Sequence, residues 1–502
     1  ILQSSTNPQI TNGCVVLWKI YERLNQWLLG YPVRSLSQKI LASSIYTHIH
    51  RTPEAVNSLV KNRHPQTLVN QMQAVALQIL HSRKTKIKLQ TDSNQLPAFY
   101  FKAIATHIEQ NTSTTKINSA PDSAFNIKFT HAKFGEYLCA ASIVEKLAAL
   151  TKHSRNNYGE IIFAIDSPQE IAQYLYQLLG YGILTQEIEE LIIEGLAQKQ
   201  NHKFSFELLC NRLQSFWYAY SAGRWLDEGI AHKVWADFKQ LRNYLNVEQV
   251  NAAVGINVFL LLSACYKKTK RSFSPCSNPF SATEFHPQAF TKLIAKTALF
   301  NSDLTRQRIS QKSLTFLNLA KADLRQTMLA GFNFANANLA NVQLKDACLT
   351  GANLADVNLT GANLTNANLT NANLTNAKLT GANLTGANLL GVNLDLVNLS
   401  NTCLFQAIIT DNQKETAITN GAVFSLDKFE ELKRLLSYQS QADGTNGGER
   451  TEIAFQVGES SPMEKQNPII GHIESAEGEP IMSLDLDDYR EDETVLRSSD
   501  FE

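Results

Sequence analysis

The chain has seven cysteines in 502 residues, all standing singly and none in a C-x-x-C pair. That scarcity excludes a disulfide framework and a cysteine-built zinc site, and it reads as a reduced, intracellular protein. No Gly-Lys dipeptide occurs anywhere. A G-x-x-x-x-G-K-(S/T) phosphate loop is therefore missing, and with it nucleotide hydrolysis by that route. The G-x-S-x-G elbow, H-E-x-x-H and a Gly-rich dinucleotide fingerprint are missing too. The longest strongly apolar run, 253–266, is short of the roughly 20 residues that span a bilayer. Lys267, Lys268, Lys270 and Arg271 follow it, so it reads as a buried helix ending in an exposed basic loop. The sequence starts Ile1-Leu2-Gln3, without Met or a secretory signal, and is expected to be the downstream part of something longer.

What is present is a soluble composition, 44% hydrophobic and 18% charged, in a chain too long for one core. The formal net charge of zero hides a segregation. Residues 1–312 carry 34 Lys/Arg against 21 Asp/Glu, and 313–409 carry four of each. Residues 439–502 carry 4 basic and 16 acidic residues. Three charge regimes imply three physical environments. The last, rich in Gly, Ser, Glu and Asp, is expected to be a disordered acidic tail.

From Leu314 to Leu404 a large apolar residue recurs at every fifth position, 19 times without a miss. Leu339, Leu344, Leu349, Leu354, Leu359, Leu364, Leu369, Leu374, Leu379 and Leu384 are the central members. A small residue stands two places earlier in most copies (Ala337, Ala352, Ala362), and Asn usually stands just before the Leu (Asn353, Asn363, Asn373). A period of five fits neither helix nor strand. It fits a solenoid with four five-residue sides per turn and Leu pointing inward on each, about five turns and ~24 Å long at ~4.8 Å per turn.

The A-(D/N)-L-x-x pattern of 313–409 resembles the pentapeptide-repeat family. That resemblance implies a right-handed quadrilateral β-helix, placed here at 301–410. Ser425 followed by Leu426, Phe429, Leu432, Leu435 and Leu436 gives a capped apolar stripe, so 426–438 is expected to be a helix covering the C-terminal edge, in a capping segment 411–438.

The first 300 residues read as mainly α-helical, with a cap and Pro at Thr52-Pro53 and a capping box at Ser167-Pro168-Gln169-Glu170. The stretch Phe129-Thr-His131-Ala-Lys133-Phe134-Gly-Glu136-Tyr137-Leu138 resembles the F-x-H-x-S-F-x-E-(F/Y)-L signature of NACHT-type signal-transducing NTPases, with Lys133 in place of Ser. Trp27-Leu-Leu-Gly-Tyr-Pro, His48-Ile-His50-Arg-Thr-Pro and 223–232 look like cyanobacterial members that end in pentapeptide repeats. The resemblance implies a winged-helix-like region over 1–150, a helical domain over 151–300, and His131 reaching a nucleotide phosphate. An imidazole can donate to a phosphate oxygen. The alternative for His131 is local packing at a helix start.

Other clusters read as ordinary surface. Glu187, Glu190 and Glu194 lie at helical spacing, as do Asp227, Glu228 and His232, and either set is better explained by a solvated helix face than by a metal. Arg83, Lys84, Lys86 and Lys88 suggest a basic wing. The combined expectation is a cytoplasmic, non-catalytic signalling or scaffold protein without cofactor or metal. Its partner is a protein, an NTPase core upstream or in trans being one candidate, and no small-molecule substrate is expected. A DNA-mimicking topoisomerase inhibitor and a winged-helix nucleic-acid binder are the alternatives. The first needs a strongly acidic solenoid, which four acids and four bases do not provide.

Overall fold

The computed structural model describes residues 18–22, 65–83, 87–88, 101–104, 126–129, 132–158, 160–200, 204–278, 281–300, 302–312, 314 and 317–442. The chain divides into two compact units, Ile1–Gln441 and Ala442–Glu502. The acidic tail, His131, Lys84, Lys86, and the 27–32 and 48–53 stretches lie outside the described residues.

The N-terminal part is mainly helical. Helix α1 (Pro65–Ser82) precedes a three-stranded antiparallel sheet of order β1-β3-β2, formed by Ile87–Lys88, Phe101–Ile104 and Asn126–Phe129. Helix α2 (Ala132–Ala149) leads to a hairpin of β4 (His153–Arg155) and β5 (Ile161–Phe163). Then come α3 (Pro168–Leu179), α4 (Gln186–Lys199), α5 (Phe206–Ser221), the short α6 (Arg224–Asp227), α7 (Ile230–Gln240) and α8 (Val247–Lys268). A second hairpin, β6 (Ser277–Asn278) and β7 (Ser281–Phe285), is followed by α9 (Ala289–Lys296) and α10 (Ser302–Lys312).

Local sequence explains several helix starts. The Ser167 hydroxyl accepts the Glu170 N–H at 3.1 Å while the Glu170 carboxylate accepts the Ser167 N–H, which caps α3 reciprocally. Asn246 and Gln249 do the same for α8. By length and composition α8 is apolar enough to cross a membrane, yet 89% of its apolar window is buried inside the protein. It is the central core helix. Its buried Asn257 donates to the Leu179 and Gly182 carbonyls at 2.8 and 2.7 Å and accepts the Leu184 N–H, so its polar atoms keep hydrogen-bond partners.

From residue 317 the chain winds into a parallel β-solenoid. Bridges link Asn318 to Asn338, Asn338 to Asn358 and Asn383 to Cys403, so four five-residue sides complete each rung. Central residues from Leu319 to Leu404, and the residues two places before them, are buried. Five residues make a side because the corner falls on the second residue after the Leu, and from Lys321 to Gln406 that residue takes positive φ everywhere except at Leu396: 57° at Asn341, 68° at Gly361, 67° at Gly381, 56° at Asn401. Gly, Asn and Asp enter that region at the lowest cost, which explains their recurrence there.

The Asn before each Leu has two tasks. Its side-chain oxygen accepts the backbone N–H two residues on, as in Asn358 with Thr360 at 3.2 Å, and so fixes the turn. Its amide donates to the equivalent residue one rung below, as in Asn338 to Asn318 at 3.0 Å and Asn358 to Asn338 at 3.2 Å. Gly381→Asn should therefore be close to neutral, since Asn341 and Asn401 occupy the same corner column and a Cβ at Gly381 meets nothing within 4 Å. Gly381→Val should cost about 1–2 kcal/mol through left-handed strain. Thermal melts of the pair check this, and equal losses would contradict the corner reading.

Both ends of the stack are sealed. At the first rung the N–H groups of Asn318, Asp323 and Asn333 donate to the carbonyls of Phe273, Pro287 and Ser310 in the helical part, at 2.8–2.9 Å. One hydrophobic core runs through the helical part and the coil. At the other end the helix expected from Leu426 is present as α12 (Leu426–Ala442), and a further helix that was not expected, α11 (Asp411–Thr419), precedes it within 411–438. Between them Val423 bridges Cys403 as a further rung residue, and Phe429 of α12 packs on that pair. The sealing is polar and comes from α11 and the residue after it. Gln413 donates to the Leu389 and Val392 carbonyls at 2.7 and 2.8 Å, and Asn420 to Leu394 at 2.7 Å. Open strand edges invite pairing with other chains, and these amides occupy them.

Candidate interaction surface

The described residues of the stretch that resembles the NTPase signature, Phe129 and 132–138, form a packing hub. Phe129 ends β3 and lies over Gly135, where any Cβ would come within 2.4 Å of its ring. Phe134, Tyr137 and Leu138 are buried on α2, and Trp18 and Tyr21 pack against them with ring centroids 5.1–5.6 Å from Tyr137 and Phe134. Lys133, where the resemblance departs from Ser, pairs with Glu136 at 3.1 Å and Glu187 of α4 at 3.6 Å. These pairs are solvent-exposed and contribute little stability.

The two acidic clusters do not converge. Glu190 accepts from Gln186 at 2.7 Å. Glu194 is buried and accepts from Gln198 at 2.6 Å, with the Lys268 ammonium at 3.8 Å. Glu228 takes the Arg224 guanidinium at 2.6 Å. Among the described residues no group of three His, Cys, Asp or Glu side chains could hold a metal ion. Of the basic residues proposed for a wing, Arg83 follows α1 with φ of 53° and Lys88 pairs with Asn126 in the sheet.

In the solenoid, Leu339, Leu344, Leu349, Leu354, Leu359, Leu364, Leu369, Leu374, Leu379 and Leu384 line the interior, each at most 1% exposed. The outer surface is therefore built from the residues on either side of them, held in columns that repeat once per rung. Each side has its own chemistry. The side centred on Phe334, Leu354, Leu374 and Leu394 carries Asp356 and Asp395. The next, centred on Leu339 and Leu359, carries Lys321 and Lys378. The third, centred on Leu344 and Leu364, carries Asp323, Arg325, Lys345 and Asp346. The fourth, centred on Leu329, Leu349, Leu369 and Leu389, carries no charge.

An open cavity of about 360 Å³ lies where α9 meets the third side, lined by Gln288, Thr291, Asp323, Arg325 and Lys345 among others. Arg325 grips Asp323 with two bonds of 2.8 Å, and Gln288 adds a third donor at 3.3 Å. The guanidinium holds the Asp323 carboxyl down at about 2. This paired corner fastens the first rungs to α9, and Thr291 adds a hydroxyl bond to the Asp323 carbonyl at 2.5 Å. The charge distribution by side was readable by writing the repeats four to a row. The edge-sealing amides of Gln413 and Asn420 had no local signal, because their partners lie 21–26 residues earlier in sequence.

Residues 318–354, 352–389 and 372–411 match the family of pentapeptide repeats, in 8 copies. Among solved structures, the pentapeptide repeat protein Rfr23 from the cyanobacterium Cyanothece 51142 is 37% identical over 22% of this chain and 76% of its own, with a TM-score of 0.18. A pentapeptide repeat protein of the Arabidopsis thaliana thylakoid lumen is 28% identical over 22% of this chain and 80% of its own, with a TM-score of 0.15. HetL of Nostoc sp. strain PCC 7120, involved in heterocyst differentiation regulation, is 28% identical over 22% and 55%, with a TM-score of 0.12. Among curated proteins none matches the chain. On its unbroken five-residue phase, its four-sided rungs and this match, the chain belongs to the pentapeptide-repeat proteins through residues 318–411.

Proposed function

We propose that this chain is a non-catalytic scaffold of the cytoplasm, whose solenoid presents its three charge-bearing sides to a partner protein. The observation that carries the reading is the seamless junction. Three backbone hydrogen bonds and one hydrophobic core tie the first rung to the helical part. The largely buried Arg308–Glu189 ion pair fastens α10, which leads into the coil, to α4. A surface tied in this way to its neighbour loses little freedom on binding, which favours affinity. The resemblance of 129–138 supports the finer reading, that the helical part is the winged-helix-like and regulatory portion of a NACHT-type NTPase. Its motor is either upstream or a separate chain. His131 is then the nucleotide-phosphate contact of that assembly.

Two measurements test this. Photo-crosslinkers placed at Asp356 on the first side, Lys378 on the second and Lys345 on the third should capture the same protein in repeated experiments, and failure from all three would remove the scaffold reading. The purified chain should show no ATP turnover, since it has no Gly-Lys dipeptide. Hydrolysis that follows the protein through size-exclusion chromatography would overturn the non-catalytic assignment.

A further inference from the structure

All eight charged residues of 313–409 stand on three sides of the coil, and the fourth has none. Its outward column before the central Leu reads Met328, Cys348, Asn368, Asn388 and Ile408, at successive rungs. Met328 and Ile408 are each 51% exposed and Leu390 is 39% exposed, so the face is apolar at both ends and amide in the middle. Met328 stands in the first rung, so the helical part leaves that end of the face open.

We propose that this side is where a second copy of the chain docks, face to face and antiparallel, with the two-fold axis passing at the level of Asn368. Two ways of pairing the face with itself are compatible with a two-fold axis lying in the interface. In the antiparallel one, each column meets its own reversed copy: Met328 meets Ile408 at both ends and Asn368 meets Asn368 in the middle. An amide both donates and accepts, so that central pair satisfies itself. In the parallel one, the columns on either side of the Leu exchange, which sets Ile408 against Thr410 and Leu390 against Asn388. The antiparallel pairing also leaves Leu390 against a polar residue, Thr350, but it alone brings the two most exposed apolar side chains together. From the first rung through Leu390 the face carries no charge, and Asp411 at the corner of the last rung is its one charged residue, so little desolvation cost falls on its middle.

The area sets the strength. Five rungs at ~4.8 Å and a side of about 13 Å give on the order of 300 Å² per copy. A standard stable interface buries about 1,200–2,000 Å² in total, so the dimer is weak and reversible.

Sedimentation equilibrium of the full chain from micromolar to several hundred micromolar should show an average mass rising above that of one chain. Ile408→Lys should weaken association at least tenfold, and Lys378→Glu on the second side should leave it unchanged; circular dichroism confirms that each variant is folded. Asn368→Cys treated with diamide should give a dimer linked at residue 368, the two thiols losing their hydrogens to the reagent. A mass of one chain at every concentration would overturn the proposal. So would a Cys348–Cys348 link in the parent chain, since the antiparallel pairing sets Cys348 against Asn388, or equal weakening by Lys378→Glu.

Discussion

Leu364→Asp is expected to unfold the solenoid. Leu364 is fully buried in the middle of the coil, and its counterparts one rung below and above, Leu344 and Leu384, are equally enclosed. The substitution removes a buried Leu, at about 2–5 kcal/mol, and encloses a carboxylate with no partner, at a further few kcal/mol. That is a large part of the roughly 5–15 kcal/mol that stabilises a typical domain. A short distance on, Asn368→Asp changes an exposed side chain and should shift the melting temperature by little. Repeats depend on their nearest neighbours, so the loss should spread along the coil and remove its β signal while the N-terminal helices persist. A thermal melt of Leu364→Asp that superimposes on the parent's would refute the inward stack.

The second large effect is acid sensitivity centred on His81. This residue lies in the last turn of α1 with its ring between Tyr181 and Phe238, at centroid distances of 5.2 and 5.4 Å. Its Nε2 is sealed from solvent and has no hydrogen-bond partner among the described residues. Burial, and then the nearby Lys146 ammonium, lower the imidazole from 6.5 to about 4, with a bond to the Leu178 backbone opposing them. A base whose folded value is depressed stays neutral in the native state and takes up a proton more readily once unfolded. Its stability contribution is complete above about pH 6.5 and is lost as the pH falls from there to about 4. The shift corresponds to roughly 3 kcal/mol at full effect. Denaturant melts between pH 7 and 4 should show that decline, and His81→Phe, which keeps a ring between Tyr181 and Phe238, should flatten it. An unchanged slope in the variant would assign the acid limb to other groups. Asp323 is separable by window, since its loss falls between 3.8 and about 2.

The solenoid was legible because its determinants are local and repeated. Inward Leu, a small residue two places before, Asn to fix the turn and Gly or Asn at the left-handed corner all act within one pentapeptide, and each rung repeats the solution. The capping box of α3 was legible for the same reason. The metal-like spacings of Glu187, Glu190 and Glu194 were not informative, because spacing along a helix does not state which neighbour arrives from elsewhere. Lys133 from α2 and Lys268 from α8 reach these acids only through tertiary packing.

By itself, then, the sequence determined the five-residue phase, the coil's inward and outward residues, and which side is without charge, since each follows from backbone geometry at short range. Tertiary structure decided the rest. It added α11 ahead of the helix expected from Leu426, and between the two it gave Val423 a strand partner in Cys403. It buried α8 within the helical part. It set Gln413 and Asn420 over open carbonyls of an earlier rung, and it placed Phe273, Pro287 and Ser310 at the first rung. Hydrogen-bonding groups left at the two ends of a stack must find partners wherever the chain returns, and no short stretch of sequence records where that is.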